Sequence, residues 1–122
     1  MHQDLLTEQI IAAAIEVHKT IGPGLLESIY EEAVCHEMTL RGMPLERQKE
    51  IDVTYKGKVI KGQRLDIVVN DEVVVEIKSV RKMDEVFTAQ LLSYLKSSGL
   101  RRGLLINFGE SRLIDGVKRI SA

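Results

Sequence analysis

The sequence predicts an α/β fold: one domain spanning residues 1–122, with a mixed β-sheet flanked by helices and a helical hairpin at the N-terminus. Three observations carry that expectation. Residues 7–42 place apolar side chains at helical spacing. From residue 49 onward the apolar period drops to two. The strand-like runs "VVVEIK" and "GLLINF" are separated by a helical stretch of the length a βαβ crossover needs, which makes those two strands parallel.

The elements follow in order. Thr7 can cap a first helix whose stripe is Ile10, Ile11, Ala14 and Ile15. "IGPG", residues 21–24, stops it. A second helix runs through Leu26, Ile29, Tyr30, Ala33, Val34 and Met38 and ends near Gly42. "RQKEIDVTYKGKVI" then reads as a strand, a Lys56-Gly57 turn and a short strand from Lys58 to Ile60. "RLDIVV" and "VVVEIK" form the next pair, joined by Asn70-Asp71-Glu72. Residues 83–98 read as a helix with a stripe through Val86, Ala89, Gln90, Leu91 or Leu92, and Tyr94; Gly99 stops it. "RGLLINFG" and "GVKRIS" are the last two strands. The expected order is two helices, four strands, a helix and two strands, with helices packed on the sheet.

Composition narrows the function classes. The 122 residues are 44% hydrophobic and 29% charged, ordinary for a soluble globular protein. No run approaches the roughly eighteen apolar residues of a membrane span. The opening "MHQDLLTEQI" lacks the basic-then-apolar layout of a signal peptide, and the lone Cys35 fits a reducing compartment. A cytoplasmic location without membrane association is expected. A net charge of −1 argues against a general polycation, and Arg81-Lys82, Arg101-Arg102 and Lys118-Arg119 each read as solvated surface.

The hairpin "RLDIVVNDEVVVEIK" carries the chemistry. Residues two apart on a strand share a face. A two-residue turn would set Asp66 opposite Val75. A three-residue loop pairs Val69 with Val73 and sets Asp66 opposite Glu76. Only the odd loop gathers Ile67, Val69, Val73, Val75 and Ile77 on one apolar face, so the hydrophobic pattern selects the register that joins the two acids. Carboxylates roughly 5 Å apart repel. A divalent cation offsets that repulsion, and hard oxygen ligands suit Mg²⁺. Lys78 lies one pleat further along the same face. Taken on spacing alone, an exposed sheet face with a Lys–Glu pair remains an open alternative.

Further motifs give a resemblance. "GLLESIY", residues 24–30, matches the signature of the GxxExxY family, which is grouped with the PD-(D/E)XK nuclease superfamily. "VHKTIGPGLLESIYEEA", "ERQKEIDVTYKG", "RLDIVVNDEVVVEIKSV", "AQLLSYLKSSGLRRGLLINFG" and "GVKRI" are similar to the family pattern in order, over nearly the whole chain. The resemblance implies a restriction-endonuclease-like fold. It implies Asp66, Glu76 and the backbone of Ile77 as metal ligands, Glu27 as a helical acid reaching the metal directly or through water, and Lys78 as the catalytic lysine. Gln90 and Tyr94 match a "QxxxY" element that borders the active site. The chain departs from the pattern at Leu65, where the superfamily's proline would stand, and at Phe87, where the family has a histidine; Phe87 is read as packing.

The function implied is a Mg²⁺- or Mn²⁺-dependent nuclease acting on nucleic acid, DNA favoured over RNA, with a homodimer allowed. Lys78 would orient the attacking water, with Gln90 and Glu27 assisting. Arg64, Arg81, Lys82 and Tyr94 are candidates for nucleic-acid contact; for Arg64, pairing with a carboxylate is equally open. Tyr30 is read as core or site wall, and His18 as a hydrogen-bonding group outside the site. The competing function is a catalytically silent nucleic-acid- or protein-binding module on the same fold.

Overall fold

The computed structural model describes residues 2–122, with side chains from Leu5 onward. Helices α1 (His2–Ile21) and α2 (Glu27–Leu40) form the N-terminal hairpin. Strands β1 (Leu45–Tyr55), β2 (Lys58–Val69) and β3 (Val73–Lys78) follow, then α3 (Glu85–Ser98), β4 (Arg102–Asn107), a short 3-10 turn over Leu113–Gly116, and β5 (Val117–Ser121). The sheet order is β1-β2-β3-β4-β5. Only the β3–β4 pair is parallel, as expected for strands joined through α3.

Each face of the sheet has its own core. Tyr30, Val34, Met38 and the α1 residues Ile10, Ala13 and Ala14 pack on Ile67, Val69, Val73, Val75, Ile77, Leu104 and Ile106. Leu91 and Leu95 of α3 pack on Leu65, Val68, Val74 and Leu105 across the other face. The β3 strand is therefore buried on both sides, which is why it reads as a continuous apolar run. Gly103 lets α3 come this close, because a Cβ there would stand 3.0 Å from the Leu91 side chain.

Several expectations are corrected. The predicted strands at Lys58–Ile60 and "RLDIVV" are one strand, so the sheet has five strands instead of six. Gly62 absorbs the irregularity with φ +112, at the step where the β1–β2 register shifts between Ile51 and Val53. Helix α1 begins before Thr7, which lies buried inside it; the residues before Thr7 contain no helix breaker. In α3 the buried residues are Leu91 and Leu95, while Val86 and Leu92 are exposed, because the sheet meets a narrower stripe than the sequence offered. Asp84 caps α3, its carboxylate accepting from the Val86 amide at 2.9 Å.

Candidate active site

The β2–β3 link is the three-residue loop. Val69 pairs with Val73, Val68 with Val74 and Ile67 with Val75. Asn70 and Asp71 take left-handed φ values of 53 and 54, which their short polar side chains tolerate. Continuing that register brings Asp66 opposite Glu76. There the side chains take over the ladder's bonding. The Asp66 amide donates to the Glu76 carboxylate at 2.9 Å, and the Ile77 amide donates to the Asp66 carboxylate at 3.1 Å. Each acid is thus fixed by the partner strand's backbone.

The electrostatics follow from burial. Glu76 is only 5% exposed. Its pKa is raised from 4.5 to about 8, first by burial and then by the charge of Asp66. Burial also raises Asp66, against the lowering effect of the Ile77 amide. Lys78 favours the ionised form of both acids. Its Nζ lies 4.4 Å from the centre of the Phe87 ring, a cation–π contact from the α3 layer. Phe87 is packing, as its position suggested, and it also seats the lysine.

Tyr94, partly buried on α3, has its hydroxyl pKa raised by burial and by the charges of Glu76 and Asp66. Gln90 lies one turn before it and is exposed. Glu27 is exposed in the first turn of α2, and its charge raises Asp66. It does not complete a ligand set: among the described residues, no three His, Cys, Asp or Glu side chains converge to hold a metal ion. Arg64 stands 4.0 Å from the carboxylate of Glu50, its cross-strand neighbour, with both side chains exposed. Arg81 and Lys82 are exposed in the bend after β3.

Glu31, Ser79 and Asn107 lie near the site and were not singled out in the sequence. Glu31 is buried one turn beyond Glu27 and raises the pKa of both acids. Arg47 holds it through Nε at 3.1 Å and Nη2 at 3.0 Å, and the Gln48 amide donates to both its oxygens at 3.1 and 3.2 Å. Gln48 takes φ +51 in mid-strand to do so. The spacing of four from Glu27 was the available signal. Tyr30 stacks on Phe108 at 4.4 Å, donates to the Gly22 carbonyl and accepts from the Leu25 amide at 3.1 Å. Ser79, the residue after Lys78, donates to the Leu25 carbonyl at 2.7 Å. The loop before Glu27 is therefore tied to the strand end that carries Lys78. The fully buried Asn107 pins the next turn, exchanging bonds with the Val80 backbone at 3.0 and 2.9 Å. His18 lies outside the site, its Nε2 2.8 Å from the Glu110 carbonyl.

A family model described as the PD-(D/E)XK nuclease superfamily matches residues 4–120. Among solved structures, that of SSO0001 is similar with a TM-score of 0.60 at 24% identity. The match covers 77% of this chain and 48% of that one, so this chain spans about half the length of that relative. A search of curated proteins finds no match. Among the described residues, no helix is long and apolar enough to cross a membrane.

Proposed function

The chain belongs to the PD-(D/E)XK nuclease superfamily, and on that footing we propose that it hydrolyses nucleic-acid phosphodiester bonds with Mg²⁺ or Mn²⁺. The observation that carries this proposal is the reciprocal fixing of the half-buried Asp66 and the buried Glu76, two carboxylates that repel one another. Such a pair fits a hard divalent cation that keeps several waters and takes phosphate oxygen as a further ligand. The signature Gly24-x-x-Glu27-x-x-Tyr30 supports the finer placement in the GxxExxY family. Residues 1–122 would form one nuclease-like domain working in the cytoplasm, and the open edges β1 and β5 would support a homodimer.

Asp66, Glu76 and the Ile77 carbonyl would hold the cation, with Glu27 reaching it through water. Bound there, it supplies charge for the phosphate and lowers the pKa of a coordinated water. Lys78, seated on Phe87, orients the water and meets charge growing on the phosphate oxygens. The water oxygen bonds to phosphorus as the leaving oxygen departs, and the water's proton passes to solvent. Gln90 and Tyr94 border the reacting phosphate. Arg81, Lys82 and Arg64 contact neighbouring phosphates; Arg64 exchanges its long, exposed contact with Glu50, which contributes little. DNA is the favoured substrate.

The experiment is cleavage of end-labelled duplex DNA, single-stranded DNA and RNA with Mg²⁺ or Mn²⁺. We expect the wild type to cut at least one, and Lys78→Ala to cut at least about a hundredfold more slowly. Absence of cleavage of all three, or equal cutting by the variant, contradicts this activity. A second reading is a catalytically silent binding module on the same fold. That module would bind nucleic acid without metal-dependent cutting.

A further inference from the structure

Strands β1 and β2 outgrow the sheet. Strand β3 pairs with β2 only over Ile67–Val69, whereas β1 and β2 stay paired to Tyr55 and Lys58. Beyond Ile51 and Gln63, a two-stranded arm continues with no third strand, and residues 54–62 are all exposed. The arm leaves the sheet at Gln63, three residues before Asp66 on β2. Along the chain, Gly57 at its tip is nine residues from Asp66, at most about 30 Å of strand. The bulge at Gly62, with φ +112, bends it on the way.

The charges of the arm are sorted. Its acids lie near the base and are paired: Asp52 with Lys61 at 2.8 Å, and Glu50 near Arg64 at 4.0 Å. The tip, residues 54–60, holds no acid. Lys56 and Lys58 have no acidic partner among the described residues. Lys56 instead lies 5.4 Å from the centre of the Tyr55 ring, and Tyr55 is 60% exposed.

We propose that this β-hairpin is a DNA-gripping arm, in which Lys56 and Lys58 bind the phosphate backbone of a duplex whose scissile phosphate lies at Asp66 and Glu76. This rests on the nuclease activity proposed above. A reach of at most about 30 Å lies within one turn of B-form duplex, roughly 34–36 Å, so the tip meets the backbone of the same turn that holds the scissile phosphate. A two-stranded ribbon fits the wide major groove of B-DNA, while the deep, narrow groove of A-form RNA excludes it. Tyr55 packs its ring beside the lysines against the sugar–phosphate edge. The contact is to backbone, so it adds affinity without sequence preference.

The test compares wild type with Lys56→Ala/Lys58→Ala, substitutions at exposed positions in the turn and at the first residue of β2 that leave both cores untouched. Binding to a labelled duplex of about 20 base pairs is followed by anisotropy without divalent metal, across a salt series. Losing two phosphate contacts should lower the slope of log affinity against log salt by about 1.8 and weaken binding roughly tenfold at moderate salt. Hydrolysis of bis(p-nitrophenyl) phosphate with Mn²⁺, a substrate too small to reach the arm, should be unchanged in the variant. Equal duplex affinity and slope in the two proteins overturns the arm. So does a wild-type dimer that the variant loses while its DNA affinity holds, since that assigns the hairpin to self-association. A wild type that binds duplex through the arm yet hydrolyses neither substrate leaves the arm standing and removes the nuclease activity instead.

Discussion

The Asp66 amide donates to the carboxylate of Glu76 while the Asp66 carboxylate accepts the amide of Ile77, so two neighbouring acids are held by each other's strands. This arrangement keeps a buried and a half-buried carboxylate together where charge is unfavourable. Its consequences are measurable.

Stability of the metal-free protein should depend on pH through Glu76. Below 4.5 the residue is protonated in both folded and unfolded chains. Between 4.5 and about 8 the folded protein keeps a proton that the unfolded chain has released. The stability this confers is present at low pH and is lost as pH rises toward 8, by about 1.4 kcal/mol per unit. The thermal midpoint in chelator should fall from pH 5 to pH 8, and Glu76→Gln should flatten that fall. A wild-type midpoint that rises over this window would contradict the burial of the pair.

Divalent metal should reverse the penalty. At a concentration a hundredfold above its Kd, Mg²⁺ or Mn²⁺ should stabilise the fold by about 2.7 kcal/mol, roughly 10 °C in Tm. Asp66→Asn should abolish the shift. The gain should be larger at pH 8 than at pH 6, because binding must displace the proton on Glu76. Calorimetry with and without metal decides this.

How much of this was legible in the sequence depended on the source of each constraint. The alternation in "RLDIVV" and "VVVEIK" required an odd loop, because burial of five apolar residues on one face outweighs any local turn preference. The crossover through α3 followed from length. Lys58–Ile60 and "RLDIVV" read as two strands where there is one, since a bulge lets Gly62 sit within a strand. Glu31 was hidden because its burial is licensed by Arg47 and Gln48, which come from a strand sixteen and seventeen residues away. The spacing of four from Glu27 placed Glu31 on the same helix face, but did not show the ion pair that lets it be buried. The family match covers residues 4–120, while the roles of individual side chains rest on the geometry around Asp66 and Glu76.

Phe87→Leu should retain most of the packing beside Leu91 and Leu95 while removing the ring under Lys78. We expect kcat to fall about threefold to tenfold with KM little changed. Steady-state kinetics on a DNA substrate separate this from a folding defect. An unchanged kcat would show that the ring does not seat the lysine.

Glu31→Gln should leave Arg47 with Glu32 alone, 2.6 Å from its Nη1, and loosen the contact between α2 and β1. Arg47 is partly solvated, so the loss should be modest for such a pair, about 1–3 kcal/mol. Denaturant midpoints would register it, and the added variant Arg47→Met should recover part of the loss. A neutral effect of Glu31→Gln would mean that the pair does not hold the helix to the sheet.

The most direct measurement is anomalous diffraction from crystals soaked in Mn²⁺. A single anomalous peak touching the carboxylates of both Asp66 and Glu76 is the expected result. A soaked crystal with both side chains ordered and no peak between them, or with Mn²⁺ bound only elsewhere, would contradict the assignment of this pair as the metal site.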